Sequence, residues 1–235
     1  MVYFHGGGWV IGNMDGFEPT VRSLANKGNF VVVQVQYQKA PEHPFPVPFN
    51  DCYATLDWVV KNAAMLKIDA TRLGVGGDSA GGNLAAAVAI KCRDKKLVDL
   101  AFQMLVYPCT GHDGSLPSAL SNAEGFGLTS KAMRWFELQY IGGVDDLRNP
   151  YAFPATADNF AGLPPAIVVT AEYDPLADDG KLYARALEEA GVKVIFKEYE
   201  GAIHGFNALA GVAPEIATEV QEFLARGINS FLGRA

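Results

Sequence analysis

Cysteine is scarce here: three in 235 residues, at positions 52, 92 and 109. No two of them fall in a C-x-x-C spacing, which removes the common metal-ligand and dithiol patterns. An odd, scattered set in apolar surroundings predicts buried free thiols and a reducing compartment. Positive charge is also short. The net charge is -7 and the pI near 5.1, so nothing electrostatic invites nucleic acid. No apolar run approaches the roughly 20 residues that span a bilayer. The opening MVYFHGGGW has no basic stretch followed by an apolar one, so no secretory signal is visible and a cytoplasmic location is expected.

What remains is rich in apolar residues, 49% against 19% charged, a balance that argues for a folded globule and against disorder. The length suits a single α/β domain, 1–235. Short β-rich runs at 2–4, 30–37, 73–76, 101–107, 166–170 and 192–198 alternate with helical stretches near 20–26, 49–65, 82–92, 175–190 and 214–231. Strands alternating with helices predict βαβ units, a mostly parallel sheet with helices on both faces. Two stretches break the rhythm. Residues 40–49 carry four prolines and are expected to be neither helix nor interior strand. Residues 111–159, with a helical piece at 130–141, are too long for a loop and predict a cap insertion, a partial helical lid.

Chemistry concentrates in four places. Gly76-Gly77-Asp78-Ser79-Ala80-Gly81-Gly82 contains G-x-S-x-G after a short strand and before an Ala-rich run. That is the setting of a nucleophile elbow, where small neighbours tolerate a strained turn that lifts the serine Oγ. His5-Gly6-Gly7-Gly8-Trp9 follows another strand. Three glycines in a row are costly in entropy, so the backbone must approach something closely, and N–H groups aimed at a developing oxyanion are what acyl transfer needs. A phosphate loop is disfavoured, since no Lys follows at Walker spacing and G-x-G-x-x-G is absent. His5 reads as a hydrogen-bonding residue that holds this loop.

Asp174 follows the strand at 166–170, on the side of the sheet where active sites form, and can orient an imidazole. It reads equally as a helix cap before Pro175, with Glu172, Asp178 and Asp179 as rivals. His204 lies between the last strand and the last helix in GAIHGF. His43, in the proline-rich stretch, and His112, at the start of the insertion, are poorer candidates. The order Ser79, Asp174, His204 is that of α/β-hydrolases, not of chymotrypsin or subtilisin.

With HGGGW at 5–9, YQKAPEHPFP at 37–46, GDSAGGNLA at 77–85, EYDPLAD at 172–178 and HGF at 204–206, the chain resembles the hormone-sensitive-lipase-like (bacterial family IV) esterases of the α/β-hydrolase fold. The resemblance implies a serine carboxylesterase acting on short- to medium-chain esters through an acyl-enzyme, without cofactor or metal. It maps the nucleophile to Ser79, the acid to Asp174, the base to His204, and the oxyanion donors to the backbones of Gly7, Gly8 and Ala80, with Gly6 at the margin. Trp9, Phe126, Trp135, Phe136 and Phe206 are candidates for the pocket. Two alternatives stay open: a catalytically dead small-molecule binder, as in the plant gibberellin receptors, which lose the triad histidine, and an amidase or lactonase using the same residues. The family's N-terminal cap segment and first two strands are absent from the sequence, and its tyrosine-arginine pair reads Tyr37-Gln38. The strand at 30–37 is therefore expected at a sheet edge, and a homo-oligomer joined there is the expected assembly.

Overall fold

Among the described residues six strands, all paired in parallel, form one sheet in the order β2-β1-β3-β4-β5-β6. They are β1 (Val2–Phe4), β2 (Val33–Val35), β3 (Gly74–Asp78), β4 (Phe102–Val106), β5 (Ala166–Tyr173) and β6 (Val194–Ile203). Among the described residues eight α-helices accompany them: α1 (Met14–Gly28), α2 (Val47–Lys61), α3 (Ala63–Leu66), α4 (Ala80–Lys95), α5 (Pro117–Ser121), α6 (Ser130–Tyr140), α7 (Ala177–Glu189) and α8 (Pro214–Phe231). The structure, a computed structural model, describes residues 1–111, 113–209 and 211–234.

Side chains alternate across each strand, and the two faces fill different cores. Val2, Phe4, Val75 and Val168 point toward α2, α4 and α7, where Leu56, Leu84 and Leu187 are wholly buried. Tyr3, Met104, Ile167 and Val169 point the other way, onto Leu24 of α1 and Leu224 and Ile228 of α8. Each such buried aliphatic side chain contributes about 1.5–3 kcal/mol. α4 runs between β3, β4 and α2. That is why its Ala-rich sequence is buried almost throughout and shows no polar face. The three cysteines are free and buried.

The structure departs from sequence expectation in three places. The strand at 30–37 shrinks to Val33–Val35, because its partner β1 offers only Val2–Phe4 for register. Among the described residues β2 pairs with β1 alone, at the sheet edge. α1 begins at Met14, not near 20, and contains Gly16 and Pro19; Asn13 caps it by accepting from the Gly16 N–H. α2 starts at Val47, inside the proline-rich stretch 40–49, with Pro48 in its first turn. An N–H missing there removes no intrahelical bond.

Residues 111–159 lie between β4 and β5, and those described hold α5, α6 and two short 3₁₀ turns. No helix among the described residues is long and apolar enough to cross a membrane.

Candidate active site

Four of the parallel strands deliver chemistry from their C-terminal ends, the edge where open α/β sheets build sites. β1 leads into His5–Gly8, β3 into Ser79, β5 into Asp174 and β6 into His204. Ser79 stands between β3 and α4 with φ 55 and ψ -120, a left-handed conformation that costs a serine on the order of 1–3 kcal/mol. Its surroundings hold it there. A Cβ on Gly77 would strike the Gly81 carbonyl, and one on Gly81 would strike the carbonyl of Phe4. The Ser79 N–H is fixed to Val106 O at 2.8 Å.

His204 Nε2 lies 2.9 Å from Ser79 Oγ, and its Nδ1 lies 2.6 Å from Asp174 Oδ2. A carboxylate only accepts, so Nδ1 carries the hydrogen and Nε2 is left to accept from the serine. Asp174 is fully buried. Its other oxygen accepts from the Leu176 N–H at 2.9 Å, so it serves the turn into α7 as well as the imidazole. Of the two sequence readings of Asp174, the geometry sets it beside the imidazole, whereas the helix-cap reading fails because α7 starts at Ala177 with Leu176 at its N-cap.

The rivals are engaged elsewhere. Glu172 accepts from Gly201 N, Asp178 from Ser118 N, and Asp179 from Thr110 and Gly111. His43 is exposed in the proline-rich segment, and His112 lies outside the described residues. Glycines on both sides of His204 have room to turn it inward: Gly201 and Gly205 have φ 69 and 86.

The triple-glycine loop sits beside the serine. Gly7 has φ 118 and Gly8 φ 58, and the Gly7 carbonyl accepts from both Val10 and Ile11. Ala80 opens α4, so its N–H has no intrahelical acceptor. His5 is buried and stacked between Phe17 and Tyr37. Its Nδ1 is 2.7 Å from Gly6 O, and its Nε2 has no partner among the described residues. Burial lowers its pKa, which suits a neutral ring bracing the loop.

Sequence reasoning missed what ties loop to elbow. Asp78 Oδ1 accepts from Tyr3 Oη at 2.6 Å and from the Gly6 N–H at 3.0 Å. One carboxylate thus joins β1, the glycine loop and the residue before the nucleophile. Burial pushes that carboxyl up from the ordinary 3.8 to about 6, against the pull of Tyr3 and Gly6. A carboxyl that holds its proton more tightly when folded adds stability at low pH, and that contribution is lost as pH rises through its folded value.

About 1–2 kcal/mol of the loss falls between pH 5 and 8. Asn at 78 keeps an oxygen for both donors and carries no charge. Urea unfolding at the two pH values is therefore expected to show a loss larger by that amount in the native protein than in Asp78→Asn. Glu137, pushed up to about 7 by burial, titrates in both proteins and cancels in the comparison. Equal pH dependence in the two would contradict this role for Asp78.

Of the aromatic residues expected to line a pocket, two are core. Trp9 is fully buried, stacked on Tyr140 and bonded through Nε1 to Asn83. Phe206 is buried against Tyr107 and Tyr199. Phe136 of α6 lies directly on Gly8, with Trp135, half exposed, at its edge, and Phe126 stacks on Tyr173 next to Asp174. Tyr107, with its ring centroid 4.7 Å from that of His204, was not anticipated; nothing in its local sequence marks it.

Comparison with known proteins follows the same pattern. A family profile described as alpha/beta hydrolase fold matches residues 1–208. Esterase LipI of Mycobacterium tuberculosis is 43% identical over 221 residues, 93% of this chain and 68% of that protein. Carboxylesterase NlhH of the same organism is 42% identical, over 96% of this chain and 72% of its own length. Among solved structures, an ester-hydrolase from the metagenome of Lake Arreo, complexed with a derivative of bipyridine phosphonate, superposes with a TM-score of 0.95 at 43% identity. It covers 99% of this chain and 73% of its own. A hyperthermophilic esterase from Pyrobaculum calidifontis gives 0.93 at 42% identity, over 98% and 76% of the two chains.

Proposed function

This chain belongs to the α/β-hydrolase fold family as a hormone-sensitive-lipase-like (bacterial family IV) carboxylesterase, and we propose that it works through Ser79, His204 and Asp174 by way of an acyl-enzyme. The observation that supports the reading most strongly is the continuous hydrogen-bonded path from Ser79 Oγ through both imidazole nitrogens to a buried carboxylate.

Ser79 Oγ attacks the ester carbonyl carbon as its proton passes to His204 Nε2. The carbonyl oxygen becomes an oxyanion held by the N–H groups of Gly7, Gly8 and Ala80. His204, now imidazolium, is steadied by Asp174 and returns the proton to the departing alkoxide as the C–O bond breaks. A water then gives its proton to His204, attacks the acyl-enzyme and frees the acid, and Ser79 recovers its proton. Asp78 and Tyr3 take no proton in this sequence. They hold the donor loop against the elbow, so little reorganisation remains to be done at the transition state.

The substrates are esters of short to medium acyl chains. A formed cavity lined by Pro175 and Leu176, next in sequence to Asp174, measures about 210 Å³, small beside the ~300–1,000 Å³ of pockets that enclose drug-sized ligands. Methylenes that outrun it stay in water and forgo the ~0.8 kcal/mol each would gain from burial. A panel of p-nitrophenyl esters from acetyl to palmitoyl, with a matching anilide, tests this. The expected optimum lies between acetyl and hexanoyl, with the anilide far slower. A kcat/KM still rising at palmitoyl would remove the chain-length reading, and an anilide cleaved as fast as the ester would favour an amidase.

A further inference from the structure

Beside the site, between α5, α6 and the start of α7, lies a cavity lined by neither Ser79 nor His204. Leu116, Met133 and Leu176 give it apolar walls. Glu137, Asp179 and Asp113 also line it, and Arg134 is the one cation among its described lining residues.

The two innermost acids are held very differently. Asp179 is saturated with donors: Thr110 N at 2.7 Å, Thr110 Oγ1 at 2.9 Å and Gly111 N at 3.1 Å. Glu137 is only 7% exposed. Its sole hydrogen bond runs from Arg134 to Oε2, at 3.5 Å, and the arginine side chain is itself 57% exposed. Oε1 accepts nothing among the described residues. A carboxylate that lines a cavity and is held by one long contact to an exposed arginine has capacity left to face a second cation. Burial raises its pKa to about 7, with Arg134 opposing and Asp179 reinforcing the shift.

The cavity flanks the catalytic residues. Glu137 follows Phe136, whose ring lies on Gly8, and Leu176 stands two residues after Asp174 on the segment leading into α7. A mostly buried acid paired weakly with an exposed arginine, set among apolar walls beside an ester-cleaving centre, fits a group that brings both a positive charge and an alkyl stem.

We propose that this cavity receives the cationic end of an ester substrate, an ammonium on a short alkyl stem, with Glu137 as its counter-charge. The inference rests on the esterase reading above and narrows it to a substrate class. The stem packs on Leu116, Met133 and Leu176 while the ammonium sets its positive charge against the Glu137 carboxylate. A neutral isostere fills the same space and leaves the carboxylate with Arg134 as its only counter-charge.

Two pairs of isosteres place the charge on either arm of the ester. For the acyl arm these are the p-nitrophenyl esters of 4-(trimethylammonio)butanoate and 5,5-dimethylhexanoate. For the alcohol arm they are butyrylcholine and 3,3-dimethylbutyl butyrate. At pH 8, where Glu137 is ionised, the native protein is expected to favour the charged member of one pair by about tenfold or more in kcat/KM, mainly through KM. Glu137→Gln, which keeps size and packing, and Glu137→Leu are both expected to abolish that preference, the leucine variant also improving the neutral ester. No preference in either pair, or one that survives both substitutions, overturns the inference while leaving the esterase intact. Failure of the native protein to cleave any of the four overturns the esterase reading and this one with it.

Discussion

Alanine in place of Ser79 or His204 is expected to lower kcat on a p-nitrophenyl ester by about 10⁵-fold, leaving the roughly 10³–10⁴-fold advantage over water that binding and the oxyanion donors supply. The geometry sets the size of the effect. With no Oγ at 79 there is nothing to acylate, and with no imidazole the nearest described base to Ser79 is gone, because Glu172, Asp178 and Asp179 are bonded elsewhere. The two groups act as one unit, so the double variant should be scarcely slower than either single one. Steady-state kinetics on purified variants of confirmed fold read this directly. A His204→Ala protein that retains more than a few per cent of native kcat would mean that another group serves as base.

The second large effect is expected at Gly7. Its φ of 118 is a conformation L side chains rarely adopt, and a Cβ there would be driven onto the carbonyl of Ile11. That contact is with backbone, which cannot swing aside as a side chain can. Gly7→Ala must therefore shift the loop and turn its N–H away from the oxyanion. Loss of one such donor lowers kcat by about 10²–10³-fold, with KM for a small ester moving much less. Measured alongside the thermal transition, the variant should be far more damaged in turnover than in stability. Turnover within about fivefold of native would place the oxyanion donors elsewhere.

How much of this was legible in the residues differs from place to place. The elbow and the glycine loop announce themselves because strained backbone demands glycine locally, and local demands are written in consecutive letters. Asp174 and His204 were found from their place after particular strands, and the fold brings both to Ser79. The bond from Tyr3 to Asp78 was not readable. It spans 75 positions and exists only because β1 and β3 lie side by side in register. Glu137 was hidden for a related reason: on α6 it reads as one more polar residue, and only tertiary packing turns its carboxyl inward. The length of β2 was misjudged because a strand extends no further than its partner. The start of α1 was misjudged because Asn13 offsets what Gly16 and Pro19 take away.

The central claim is that Ser79, and no other serine, is the nucleophile primed by His204. Brief exposure to a p-nitrophenyl alkylphosphonate followed by intact-mass measurement and peptide mapping tests it most directly. The native protein is expected to gain a single phosphonyl group on the peptide carrying Ser79, in step with loss of esterase activity, and Ser79→Ala to gain none. An unlabelled native protein, or one labelled at a different residue while activity disappears, would contradict the account.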